Sequence, residues 1–221
     1  LTKKINGKTY GFDERGVMVY EWTLGTKTVA SGSSASNWSY FSNPEDGARY
    51  TKGWFKVAPP TEDNSFAEVD DTFANNDSKD ESDRWYYSNG HDEGLAVGEI
   101  KKIKGKYYGF APEGNKAGSM LTGLCALTVN EKGEIETLWA RDMDSDDLDD
   151  ALKAEGDFAA TTSHGAFGAS KYDTLYYFGN NEDSDGALKT GNVSVSLDGD
   201  SYQFQFSKTG GAEGKGRGVN G

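Results

Sequence analysis

The stretch Ile103-Lys104-Gly105-Lys106-Tyr107-Tyr108-Gly109-Phe110, followed by Gly118-Ser119-Met120-Leu121-Thr122-Gly123-Leu124, decides the fold, because imperfect copies of it recur from end to end. Near the N-terminus the copy is Ile5-Asn6-Gly7-Lys8-Thr9-Tyr10-Gly11-Phe12, then Gly16-Val17-Met18-Val19-Tyr20-Glu21-Trp22. Near the C-terminus it is Leu197-Asp198-Gly199-Asp200-Ser201-Tyr202-Gln203-Phe204. A second variant opens on aromatic clusters: Trp38-Ser39-Tyr40-Phe41, Arg84-Trp85-Tyr86-Tyr87 and Leu175-Tyr176-Tyr177-Phe178. Alternating apolar and polar residues around glycine-containing breaks are the pattern of β-hairpins. Repetition of that pattern implies a fold assembled from like units, each burying its apolar face on the next.

Composition agrees. Of 221 residues only 35% are hydrophobic, yet 13% are aromatic, and there are 29 Gly. Few aliphatics, many rings and regular glycines suit short strands and tight turns. The formal net charge of −13 argues against nucleic acid and anionic lipid as partners, since both would be repelled. The lone Cys125 has no partner for an intramolecular disulfide, and a zinc-binding Cys/His set is missing; beside Leu124 and Leu127 it reads as a small buried apolar side chain. No run approaches the roughly 20 apolar residues needed to span a bilayer. The chain opens at Leu1 with neither Met nor an apolar leader, as a mature or truncated chain would.

The pattern predicts one domain over 1–221, all-β, an elongated repeat of stacked hairpins with insertions. Hairpins are expected over about 3–24 (turning at Gly16), 38–57 (turning at Pro44 to Gly47), 85–127 (double) and 175–221 (double). Between them lie insertions 25–37, 58–84 and 128–173. The third is expected to carry a short helix from Asp146 to Glu155, where Leu148, Ala151 and Leu152 share a face and acids crowd the first turn.

The order Gly-Lys-x-Tyr-x-Phe, then Gly-x-Met-x-Thr-Gly-Trp, resembles the cell-wall-binding repeat family, the choline-binding and glucan-binding modules of Gram-positive surface proteins. Gly118-Ser119-Met120-Leu121-Thr122-Gly123 fits the second half at every position; Gly186-Ala187-Leu188-Lys189-Thr190-Gly191 fits all but Met. After Thr-Gly this chain has Leu124 and Asn192 where the family has Trp, and keeps Trp22 and, shifted by one residue, Trp54. The resemblance covers everything outside the three insertions. It implies hairpins stacked into a left-handed β-solenoid, with ligand sites formed by aromatic side chains between successive hairpins. Ring faces attract a quaternary ammonium and stack on the C–H faces of sugars, and many weak sites give avidity on a polymer.

The resulting expectation is a non-catalytic binding module, secreted and held at the cell wall or cell surface. Its partner would be a cell-wall polymer: peptidoglycan, teichoic-acid choline or glucan. The candidate ligand-binding residues are Trp22, Trp38, Tyr40, Trp54, Trp85, Tyr86, Tyr107, Tyr108 and Tyr176. Adjacent rings on a strand point to opposite faces, so one member of Tyr86/Tyr87 and of Tyr107/Tyr108 should pack inward. The alternative is an adhesin or structural stalk that displays its acidic insertions to a surface or host protein. No catalytic residue, cofactor or metal is expected. His91 and His164 lack a nucleophile or acid at useful spacing. Asp142-Met143-Asp144-Ser145-Asp146 begins like a calcium loop but has Asp147 at the sixth position and Lys153 at the twelfth.

Overall fold

The computed structural model describes residues 2–6, 8–12, 18–19, 21–24, 38–41, 53–57, 83–90, 94–112, 117–153, 155, 158, 174–181, 183 and 185–211. The described chain is all-β apart from one short helix, and its strands form small antiparallel sheets. Two compact units are formed, one from residues 1–97 and 113–119, the other from 98–112 and 120–221. Among the described residues no helix is long and apolar enough to cross a membrane.

In the first unit, β1 (Thr2–Ile5), β2 (Lys8–Phe12) and β3 (Met18–Val19) make one sheet. A second joins β4 (Glu21–Leu24) to β5 (Trp38–Phe41). A third joins β6 (Gly53–Val57), β7 (Arg84–Gly90) and β8 (Gly94–Leu95). The second unit contains the hairpin of β9 (Glu99–Ile103) with β10 (Lys106–Phe110). There β11 (Leu124–Val129) lies between β12 (Ile135–Ala140) and β13 (Leu175–Tyr177), and β14 (Gly191–Leu197) pairs with β15 (Asp200–Phe206).

The repeated motif is a hairpin whose turn is the x-Gly pair. Ile103 faces Lys106 and Leu197 faces Asp200, leaving Lys104-Gly105 and Asp198-Gly199 as two-residue loops. Both residues of each loop have positive φ, 48° and 84° in one, 50° and 85° in the other. That is the type I′ turn, whose twist matches the flanking strands and whose second position favours glycine. In the N-terminal copy Ile5 faces Lys8, and Asn6 has φ of 50°. The second half of the motif is also repeated in register, with Phe12 opposite Met18 and Phe110 opposite Met120. In Thr122-Gly123, Gly123 has φ of +70°, and a Cβ there would lie 2.9 Å from Asp142 Oδ1, which accepts the Thr122 hydroxyl at 2.7 Å.

The expected hairpin pairings are corrected at 38–57, at 175–221, where Leu175–Tyr177 pairs instead with Leu124–Val129, and in part at 3–24. Segment 3–24 folds about Gly16 only in part: Lys8–Phe12 pairs with Met18–Val19 as expected, but also with Thr2–Ile5 before it, and Glu21–Leu24 leaves the hairpin to pair with Trp38–Phe41. Segment 38–57 does not pair with itself, since Gly53–Val57 pairs with Arg84–Gly90. Of the expected insertions, 25–37 and all of 58–84 but Asp83 and Arg84 lie outside the described residues. Loop-closure entropy grows only as the logarithm of length, so a long connection does not dictate which strands pair. Segment 128–173 is in good part core: it completes β11, forms β12, and supplies α1 (Ser145–Lys153).

Strand β11 explains why. Leu124 and Ala126 face one apolar cluster, Cys125 and Leu127 another, and all four are buried. A strand alternates its side chains, so a strand apolar at consecutive positions needs cover on both faces. One face is covered by Leu148 and Ala151 of α1 together with Leu175, Tyr177, Val195, Leu197, Phe204 and Phe206. The other packs on Ala111, Leu121, Ile135 and Phe178. The helix is fixed at its start by a reciprocal cap: Asp144 Oδ1 accepts the Asp147 amide at 2.8 Å, and Asp147 Oδ2 accepts the Asp144 amide at 3.1 Å. These are two carboxylates of the calcium-like stretch, and they satisfy backbone donors of the first turn.

Candidate functional site

The β6–β7 ladder sorts its rings onto two faces. Register places Trp54 opposite Tyr87, Phe55 opposite Tyr86 and Lys56 opposite Trp85. Alternation then puts Trp54, Tyr87, Lys56 and Trp85 on one face, and Phe55 with Tyr86 on the other. Phe55 and Tyr86 stack at 5.6 Å and 20° and are buried. On the opposite face, Trp54 meets Trp85 edge-on, with centroids 6.3 Å apart at 84°, and Tyr87 at 5.2 Å and 71°. These three rings are only partly buried. Each such edge-to-face pair is worth about 0.5–1.5 kcal/mol beyond its buried area, so the cluster holds its shape before any ligand arrives. Ring planes at right angles form a corner, and two walls of a corner can be in contact with one small cation or one sugar ring.

Of the sequence-based candidates, the structure brings Trp54 and Trp85 together and adds Tyr87, which the sequence reading passed over for its neighbour. Tyr86 is corrected: at 0% exposure it belongs to the core and presents no ring surface to a ligand. Parity was the available signal, because Trp85 and Tyr87 are two apart and must share a face. Trp22 is the register partner of Tyr40, and Leu24 of Trp38, in the β4–β5 ladder; their side chains lie outside the described residues.

Tyr107 and Tyr108 occupy opposite faces of the β9–β10 hairpin. Tyr108 is half-buried, whereas Tyr107 is 46% exposed and carries the Lys102 ammonium 5.8 Å from its ring centroid. Tyr176 is opposite Cys125 in the β11–β13 ladder and packs against the cluster of Ala111, Leu121 and Phe178, so most of its ring serves the core. Cys125 is fully buried, and burial pushes its thiol up to about 12, which keeps it protonated and unreactive. His91 and His164 lie outside the described residues. Among the described residues no group of three His, Cys, Asp or Glu could hold a metal.

Comparison with solved structures returns choline binding protein F from Streptococcus pneumoniae, at 18% identity and a TM-score of 0.36, covering 96% of this chain and 72% of that one. The chain is similar to that protein. It is similar also to CbpJ from S. pneumoniae TIGR4, at 18% identity and a TM-score of 0.36, over 96% of this chain and 73% of that one. The modular autolysin LytC from S. pneumoniae matches at 15% identity and a TM-score of 0.39; 97% of this chain corresponds to 27% of LytC, so this chain spans about a quarter of its length. No protein-family model and no curated protein matches the chain.

Proposed function

We propose that this chain is a non-catalytic cell-surface module that binds a cell-wall polymer through exposed aromatic corners on its hairpins. The observation that carries this reading is the Trp54–Trp85–Tyr87 cluster, three partly exposed rings preorganised at near-right angles on one face of β6–β7. A quaternary ammonium set against such ring faces gains on the order of 0.5–2 kcal/mol per contact, and a sugar gains similarly by stacking its C–H face on indole. Either affinity is weak for one site and useful on a repeating polymer, where avidity multiplies it. The repeat Gly-x-Met-x-Thr-Gly supports the same reading, because it rebuilds the hairpin scaffold along the chain. Secretion to the wall and the absence of a catalytic role are parts of this proposal.

Tryptophan fluorescence titration of the whole chain tests it, with choline, soluble glucans and muropeptides as ligands. A saturable change with one of them, abolished by Trp54→Ala and by Trp85→Ala in variants that keep their circular dichroism, is the expected result. Binding to purified wall that survives both substitutions unchanged would reject the aromatic site. The adhesin alternative assigned display to the acidic segments. Because α1 is part of a core, deleting 128–173 would unfold its unit and cannot serve as the discriminating experiment.

A further inference from the structure

The β9–β10 hairpin concentrates positive charge in a chain whose formal net charge is −13. Lys101, Lys102, Lys104 and Lys106 lie within six consecutive residues, against one acid of the hairpin, Glu99, which pairs with Lys101 at 3.9 Å. Lys102, Lys104 and Lys106 are exposed, as is Tyr107 opposite Lys102. Part of this arrangement recurs in β1–β2, with Thr9 at the position of Tyr107 and Asn6 at that of Lys104. In β1–β2, Lys3 faces Tyr10, Lys4 faces Thr9 and Ile5 faces Lys8; in β9–β10, Lys101 faces Tyr108, Lys102 faces Tyr107 and Ile103 faces Lys106. Lys3 and Lys4 are exposed as well.

The third copy shows that the hairpin does not require these lysines. In β14–β15 the corresponding positions are Val195, Ser196 and Leu197 facing Tyr202, Ser201 and Asp200, and the turn closes with the same geometry. That copy has its apolar face in the core and its turn against α1, where Asp198 accepts the Ser145 amide at 2.8 Å. The turn geometry therefore does not demand the lysines of the β9–β10 hairpin.

We propose that the tip of the β9–β10 hairpin binds a phosphate-bearing sugar polymer, with Lys102, Lys104 and Lys106 on phosphate oxygens and the Tyr107 ring on a sugar face. This rests on the wall-polymer reading above and names the polymer class: anionic, with phosphodiesters alternating with polyol and sugar units. Ammonium groups serve as point-charge phosphate ligands. Contacts within a Debye length of about 8 Å outweigh the net negative charge of a distant surface. A nucleic acid, with a charge every ~1.7 Å along its duplex axis, meets that overall repulsion at much higher density.

The test uses the full chain and a purified glycosylated poly(ribitol phosphate) teichoic acid, beside peptidoglycan stripped of phosphate polymer. The variant is Lys102→Gln with Lys104→Asn and Lys106→Gln; asparagine at 104 tolerates the positive φ, as Asn6 does in the first hairpin. Its affinity for the teichoic acid should fall by about tenfold, and the slope of log affinity against log salt should decrease by about 2–3. Tyr107→Ala should weaken binding without changing that slope. Binding to phosphate-free peptidoglycan, and the fluorescence response assigned to Trp54, should stay as in the parent. Unchanged teichoic-acid affinity in a folded variant would overturn the proposal and leave the lysines as edge protection. Tighter binding to single-stranded DNA or to anionic vesicles than to teichoic acid would overturn it too. If Trp54→Ala is silent while the lysine variant loses the polymer, the aromatic reading fails and this one stands.

Discussion

Leu148→Ala in α1 discriminates between a helix that is core and one carried on a displayed insertion. Leu148 is 2% exposed, and its cluster includes Leu124, Leu175, Tyr177, Val195 and Phe204. Truncation to alanine removes three carbon atoms, a transfer loss of about 2.4 kcal/mol at ~0.8 kcal/mol per buried methylene. The cavity left behind adds to that, so the expected loss is about 3 kcal/mol. With a urea m-value of about 2 kcal/mol/M, the unfolding midpoint should drop by about 1.5 M at constant m. The assay is urea unfolding followed by far-ultraviolet circular dichroism. Leu152→Ala, only partly buried on the same helical face, should move the midpoint by roughly half as much. Asp149→Ala removes the exposed ion pair with Lys153 and should leave the midpoint where it is. A Leu148→Ala midpoint within about 0.3 M of the parent, the range of an ordinary surface substitution, would refute the assignment and return α1 to the status of a displayed insertion.

Two further predictions concern titrating groups. Cys125, with its thiol pushed up to about 12 by burial, should resist a thiol reagent at pH 8 in the native protein and react fully in denaturant; rapid native labelling would contradict the double-sided burial of β11. Asp198 is held below its ordinary value of 3.8, first by the Ser145 hydroxyl and then by the Ser145 amide. Its carboxylate therefore stabilises the fold above about pH 4, and that contribution is lost as pH falls through the lower folded value. Asp198→Asn should lower the urea midpoint at pH 7 and converge with the parent at pH 2–3, so a constant difference across that range would show that the charge is not involved.

By itself the sequence determined the unit of construction. The x-Gly pair between alternating strands favours a type I′ hairpin from local sterics, so Lys104-Gly105 and Asp198-Gly199 carried a turn signal in the sequence, although in the N-terminal copy the turn was expected at Gly16 instead. Helix α1 was legible, because Leu148, Ala151 and Leu152 repeat at helical spacing behind an acidic first turn. Strand pairing was not. Whether Gly53–Val57 would join the strand before it or the one after it depends on which edge is free and which rings meet across the ladder, and neither is encoded within the segment. The aromatic site had the same character: sequence offered nine rings, and parity could divide neighbours between faces, but only the pairing of β6 with β7 decided which face met solvent. That pairing placed Trp54, Trp85 and Tyr87 together and sent Tyr86 inward. Local backbone preferences are fixed over a few residues, whereas burial is a property of the partner surface, and the partner lies far along the chain.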